Sequence, residues 1–313
     1  MDSDELHLLE RRLGRLHVKQ RLGVETDHEA QVFGQGLNFF HIENSALSAL
    51  AIEYSLKMAG LFWRGRRNAA QVEVRYNTVR AGELPDGFDG FSILQISDLH
   101  CDVSERAMHR VAELLPTLSY DICVLTGDFR GATHGPFDRA LAIIAELRRV
   151  IQSPVYGVLG NHDTIRMVPA LERMGIRMLV NESEVIKRGS QNIHIAGIDD
   201  AHFYRADNLE KAVAAIPFEA FSILLSHTPE IYRQAAHAGF NLLLSGHTHG
   251  GQICLPGGIP ITLDSVLPWR FGAGPWKHHT MDGYTAVGAG SSVGPVRFNC
   301  PPEITLHTLK KSS

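Results

Sequence analysis

Two histidines flank a single threonine in the stretch Gly246-His247-Thr248-His249-Gly250-Gly251-Gln252. Side chains at i and i+2 share one face of an extended strand but point roughly 200° apart on a helix. The paired glycines make a stable helix a poor reading, so His247 and His249 are expected to reach toward one region of space. That region could hold a phosphate or a metal ion.

The same residue chemistry recurs along the chain, each time just after a short apolar run. FSILQIS leads into Asp98-Leu99-His100, ICVLTG into Asp128, VYGVLG into Asn161-His162-Asp163, FSILLS into His227, and LLLSG into His247-Thr248-His249. Any one of these reads equally well as a polar turn. Five in succession carry more weight, because open α/β sheets bind ligands beyond the carboxyl ends of their strands. Imidazole with carboxylate and carboxamide oxygen suits borderline divalent ions such as Mn, Fe, Zn, Ni or Co better than Mg or Ca. Asp98, His100, Asp128, Asn161, His227, His247 and His249 are too many donors for one tetrahedral ion. They suit two ions that share a bridging carboxylate, and Asp128, central in order, is the expected bridge.

The elements that must position these residues begin at about Phe91. FSILQIS, a helix capped by Ser104, ICVLTG, a helix opening near Pro136, and VYGVLG give β-α-β-α-β, the pattern of a parallel sheet layered with helices. Strands then dominate through EVIKR, IHIAGI, LLLSG, GYTAVGAG and EITLHTL, with one helix at PEIYRQAAHAG, so the core reads as two β layers flanked by helices. The turn-rich ELPDGFDG precedes the first strong strand, and residues 70–82 are expected to form an edge strand. The chain is divided into a helical N-terminal extension, 1–69, and a catalytic domain, 70–313.

Composition excludes several classes. A formal net charge of -4 and a pI near 6.5 in 313 residues give no basic field for a nucleic-acid polymer. Cys101, Cys123, Cys254 and Cys300 are scattered and read as reduced thiols of a cytoplasmic protein; Cys101 and Cys254 are expected to pack near the site. The acidic start, with charges after Arg11-Arg12, lacks the apolar run of an export signal. In residues 45–67, Leu47, Leu50, Tyr54, Met58 and Leu61 recur at helical spacing, interrupted by Glu53 and Lys57. This is a packing helix, or a peripheral membrane helix with Trp63, Arg64, Arg66 and Arg67 at the headgroups.

The blocks DLH, GD, GNHD, SH and GHTHGG resemble the calcineurin-like metallophosphoesterase superfamily. The wider wording, QISDLH, LTGD, VLGNHD, GIDD, LLSHTPE, LSGHTHGGQICLP and CPPEITLHTL, is similar to its bacterial YkuE/YaeI-type branch over about residues 70–310. The resemblance implies an α/β, four-layer α/β/β/α sandwich. It implies that Asp98, His100 and His249 hold one metal ion, that Asn161, His227 and His247 hold the other, and that Asp128 bridges them. It further implies that a metal-bridging hydroxide attacks phosphorus, that His162 protonates the leaving oxygen and that Asp163 fixes its orientation.

On this reading the protein hydrolyses a phosphodiester or pyrophosphate bond, with a lipid-linked substrate such as UDP-2,3-diacylglucosamine as one candidate; a catalytically silent scaffold of the same fold is the alternative. Arg130 is either a phosphate contact or a solvated turn residue, and His134, His278 and His279 are surface or rim residues. The glycine-rich run 257–279 reads as a lid or substrate rim, with Trp269, Phe271 and Trp276 as candidate covers for an apolar substrate part. Gly250 and Gly251 are expected to turn the backbone sharply and leave room for phosphate.

Overall fold

The computed structural model describes residues 1–34, 46–263, 265–292 and 294–312, and of 30–34, 46–49, 51 and 52 the backbone alone. The chain opens with helices α1 (Ser3–Leu13), α2 (Arg15–Gly34), α3 (Ala46–Met58) and α4 (Phe62–Ala69). Then follow β1 (Glu73–Ala81), β2 (Ser92–Ile96), α5 (Glu105–Leu114), β3 (Ile122–Leu125), α6 (Asp138–Val150), β4 (Val155–Gly157), α7 (Val168–Arg173), β5 (Ile176–Met178), β6 (Glu182–Arg188) and β7 (Gln191–Gly197). The last part holds α8 (Leu209–Val213), β8 (Ser222–Leu225), α9 (Tyr232–His237), β9 (Leu242–Ser245), β10 (Cys254–Leu255), β11 (Ile259–Pro260), β12 (Gly274–His278), β13 (Met281–Thr285) and β14 (Glu303–Lys311).

Two six-stranded mixed sheets, β1-β14-β2-β3-β4-β5 and β12-β13-β9-β8-β7-β6, lie face to face. Strand alternation sorts the side chains. Ile93 and Val124 of the first sheet meet Ile193, Ile195, Ile223, Leu225, Leu242 and Leu244 of the second. The intervening residues point outward: Leu94, Ile96, Cys123 and Leu125 onto α5 and α6, and Ala196, Leu224 and Leu243 onto α8 and α9. Each such aliphatic side chain taken from water contributes about 1.5–3 kcal/mol, and runs apolar on both faces are what doubly covered strands require. The result is a four-layer α/β/β/α sandwich. Ser104 caps α5 by accepting from the Ala107 N–H, and β1 is an edge strand, paired in parallel with β14 alone.

The helices of the N-terminus reach the core. Leu9, Leu13 and Val18 are buried in the outer cluster of the first sheet, and Arg12 forks onto Glu182 and reaches Glu172. In α4, Phe62, Gly65 and Ala69 face inward. In contrast, Leu50, Tyr54, Met58 and Trp63 are 57–82% exposed, so these residues of the 45–67 apolar stripe are not covered by the chain itself; Ser45 and the Leu47 side chain lie outside the described residues. No described helix is long and apolar enough to cross a membrane.

The run 257–279, of which Asp264 lies outside the described residues, is more ordered than a loop. It contains β11, a 3-10 turn at Trp269–Phe271 and β12. Phe271 and Trp276 are buried against Tyr232, and the Trp276 indole donates to Thr285 Oγ1 at 2.8 Å, so neither covers a substrate. Trp269 is 62% exposed.

Candidate metal centre

All seven donors sit on the crest formed by the carboxyl ends of parallel strands from both sheets. β2, β3 and β4 deliver Asp98, His100, Asp128 and Asn161; β8 and β9 deliver His227, His247 and His249. Each is at most 5% exposed. The crest loops lash to one another through the backbone: the Asp98 N–H donates to Gly127 O, the His100 N–H to Asp128 O and the Gly246 N–H to His227 O.

Two groups form. Asp98, His100 and His249 offer ligand atoms within 4.8 Å of one another, and so do Asp128, His227 and His247. His247 Nδ1 and His227 Nε2 each lie 2.9 Å from Asn161 Oδ1, which adds the carboxamide to the second group. Asp128 Oδ2 stands 3.2 Å from His227 Nε2 and 3.6 Å from His100 Nε2, between the groups. His247 and His249 therefore turn to different clusters. They do so without an extended strand: both have left-handed backbone, with φ 73° and 50°.

Asp98, His100 and Asp128 share that conformation, with φ 49°, 37° and 55°. A non-glycine residue there costs on the order of 1 kcal/mol or more, and such strain collects at functional sites that the surroundings over-determine. Close backbone approach is also enforced. A Cβ on Gly246 would lie 1.9 Å from Ser97 Oγ and 2.3 Å from Asp98 Oδ2.

The charges and tautomers fit cations. Burial pushes the Asp98 carboxyl up to about 7, with neighbouring Asp128 adding to the rise. Burial also opposes charge on Asp128 and His227, but their mutual attraction wins, holding Asp128 well below the carboxylate range and raising His227 to about 10. Such a cluster of buried carboxylates calls for positive charge. Backbone carbonyls at the far ring nitrogens, Arg130 O at His100 Nδ1 and Thr126 O at His227 Nδ1, hold a proton there, so Nε2 is the nitrogen that a cation would take, in His227 by displacing the proton shared with Asp128. His100 and His249 meet Nε2 to Nε2 at 3.0 Å, so both rings turn that nitrogen toward the same point.

Around the donors, several expectations change. Asp163 does not bond to the His162 ring: its carboxylate accepts from the Phe129 and Gly160 N–H groups, both at 2.9 Å, and so shapes the loop backbone. Thr133 Oγ1 lies 3.1 Å from His162 Nδ1. Arg130 is 2% exposed, neither solvated nor free for phosphate, because its guanidinium donates to the carbonyls of His162, Thr133 and Gly135. The positive φ of Gly250 and Gly251 does provide the turn, but the space a Cβ would fill holds Val287 and Cys300 at one and Pro260 at the other. Cys254 and Cys300 donate to Gly250 O and His249 O behind that turn; Cys101, which follows His100 in sequence, is buried. His134 and His278 are partly buried and His279 is exposed.

Sequence reading missed four contributors. Arg297 is fully buried and donates to Val287 O and Gly290 O, with Nη2 3.2 Å from His249 Nδ1. The His202 ring centroid lies 4.3 Å from that of His247, and its Nδ1 lies 2.9 Å from Glu230 Oε2. Arg21 and Glu25 of α2 bond to the His162 loop. The block GIDD pointed at the segment carrying His202; nothing local marks Arg297 or α2.

A model of the family described as "Calcineurin-like phosphoesterase" matches residues 91–251. The chain is 31% identical over 253 residues to the uncharacterized metallophosphoesterase YkuE of Bacillus subtilis, covering 77% of this chain and 87% of that one. It is 27% identical over 244 residues to the phosphodiesterase YaeI of Escherichia coli, covering 74% and 86%. Among solved structures, the calcineurin-like phosphoesterase YfkN of Bacillus subtilis aligns with a TM-score of 0.41 at 13% identity, covering 64% of this chain and 82% of that one.

Proposed function

Since the chain belongs to the calcineurin-like phosphoesterase family, we propose that it is a dinuclear metal-dependent hydrolase of a phosphodiester or pyrophosphate bond. The observation that carries this reading is Asp128 Oδ2, set between His100 Nε2 and His227 Nε2 with a complete donor group on either side. Asp98, His100 and His249 would hold one ion, Asn161, His227 and His247 the other, and Asp128 both. Imidazole and carboxylate donors favour Mn, Zn, Fe or Ni. Two such ions, when bound, polarise the phosphoryl oxygens and lower the pKa of water toward neutrality.

The chain's own residues complete the site. His162 is anchored from its N–H to Asp128 Oδ1 at 2.9 Å. With Thr133 at Nδ1, the Nε2 atom is turned toward the cluster, 3.9 Å from Asp128 Oδ2, and delivers its proton to the departing oxygen. The substrate side is lipid-linked on this proposal, with UDP-2,3-diacylglucosamine as the type, and the protein works against a membrane surface from the cytoplasm. Exposed Leu50, Tyr54, Met58 and Trp63 beside exposed Arg64, Arg66 and Arg67 support that.

Metal analysis with hydrolysis of bis-p-nitrophenyl phosphate under added Mn tests the central reading. Two metal equivalents with turnover are expected; two equivalents with no turnover of nucleotide, sugar-nucleotide or lipid-linked diesters would leave a scaffold. His162→Ala is expected to keep the metals and lose on the order of 10²-fold in kcat with a poor leaving group. Absence of binding to anionic vesicles would remove the lipid-linked substrate.

A further inference from the structure

Arg21 shares with Arg297 the place of largest fully buried side chain among the described residues; it is 1% exposed, in a helix outside the family-matched region. Its guanidinium spans three elements. Nη1 donates to Glu25 Oε1 at 2.7 Å, Nε to Asp199 Oδ1 at 3.2 Å and Nη2 to the Asp163 carbonyl at 3.0 Å. Its flat face lies 3.5 Å from the Tyr204 ring centroid. Glu25, 6% exposed, continues the contact: Oε1 accepts the Ile165 N–H at 2.9 Å and Oε2 the Thr164 hydroxyl at 2.5 Å. Every backbone or side-chain group so held lies within three residues of His162, or on the loop that bears His202.

Burying a guanidinium and a carboxylate is costly, and a pair that only glued α2 to the domain would be outperformed by apolar residues of the same volume. Arg12 already ties α1 to Glu172 and Glu182. We propose that Arg21 and Glu25 are positioning residues for the His162 loop, making α2 part of the catalytic apparatus. The physical basis is that the backbone on both sides of His162 is held: by Asp128 and Arg130 at His162 itself, and by the Arg21–Glu25 pair from Asp163 to Ile165. An imidazole must be aimed within a fraction of an ångström to share a proton with a departing oxygen. The inference rests on the His162 role proposed above.

The test measures kcat on aryl phosphodiesters of graded leaving-group pKa, with metal content, melting temperature and hydrogen exchange over residues 160–166, for Glu25→Ala, Glu25→Gln, Arg21→Lys, Arg12→Ala and His162→Ala. Glu25→Ala is expected to keep both metals, exchange faster at Thr164 and Ile165, and lose about 10-fold in kcat on the poorest leaving group but less than about twofold on 2,4-dinitrophenyl esters. Glu25→Gln keeps one carbonyl oxygen to accept from the Ile165 N–H, offers its NH2 to the Thr164 hydroxyl, which can accept, and recovers most of that loss. Arg21→Lys cannot reach three acceptors with one ammonium and behaves like Glu25→Ala. Arg12→Ala loses stability with no leaving-group dependence. Losses in Glu25→Ala and Arg21→Lys that are uniform across leaving groups, as in Arg12→Ala, would overturn the positioning role. A flat response in His162→Ala itself would instead overturn the acid assignment.

Discussion

Gly160 offers the sharpest test of how the centre is built. A Cβ placed there would fall 2.2 Å from Asp128 Oδ1 and 2.5 Å from the Asp128 nitrogen, about an ångström inside ordinary contact, which begins at 3.4 Å. The backbone of Gly160 is not left-handed, so space alone is at issue. Neither obstacle can yield cheaply. The nitrogen belongs to the main chain, and Oδ1 is held by the His162 N–H at 2.9 Å. Gly160→Ala must therefore push apart the Asp128 and Asn161 loops. Overpacking costs about 1–3 kcal/mol, the charged hydrogen bond about 1.5–3 kcal/mol if it breaks, and a misplacement of about 1 Å at a reacting centre on the order of 10²-fold in rate. Melting temperature, metal content by mass spectrometry and kcat/KM on bis-p-nitrophenyl phosphate report these separately. Gly157→Ala is the control, since its Cβ would meet the Met178 Sδ at 3.0 Å and Ile176 Cγ2, side-chain atoms that can shift. A Gly160→Ala enzyme with full metal content and kcat/KM within about twofold of wild type would refute the claim that this glycine exists to let Asp128 sit between the two groups.

Asp128→Asn and His247→Ala are both expected to abolish turnover, Asp128→Asn with loss of both metals and His247→Ala with loss mainly of the second; equal stoichiometry in the two variants would count against a bridge. Chelation should lower the melting temperature, by an equivalent of about 3 kcal/mol if free metal stood at 100 times its dissociation constant. His307 is buried, its Nε2 bonded to Gln95 and its Nδ1 to Asn77, and burial pushes it down to about 3. Because the unfolded imidazole binds its proton near 6.5, the stability from neutral His307 is full above 6.5 and is lost as pH falls toward 3, reaching roughly 3 kcal/mol at pH 4. Denaturant melts of metal-free wild type and His307→Gln at pH 7.5, 5.5 and 4.5 should converge as pH falls; parallel curves would refute the assignment.

Much of the centre was legible because strand ends and metal donors leave local marks. Short apolar runs announce covered strands, and Asp98, His100, Asp128, Asn161, His227, His247 and His249 follow them directly, so residue type and order alone pointed to one crest and two ions. Which ring nitrogen faces the cluster, how left-handed backbone at Asp98, His100, Asp128, His247 and His249 aims them, and that Asp163 shapes backbone while Thr133 meets His162 all depend on loops packing against loops. Arg130 was misread for the same reason, since its acceptors are main-chain carbonyls, which carry no sequence signature. Phe271 and Trp276 looked like lid residues because their partners, Tyr232 and Thr285, come from other elements. The sequence by itself determined the layers and the chemistry of the crest, properties set by local periodicity and side-chain type. Only the tertiary structure decided that an N-terminal helix, through Arg21 and Glu25, reaches the loop of His162, because a contact across about 140 residues is specified by the whole packing and by no segment of it.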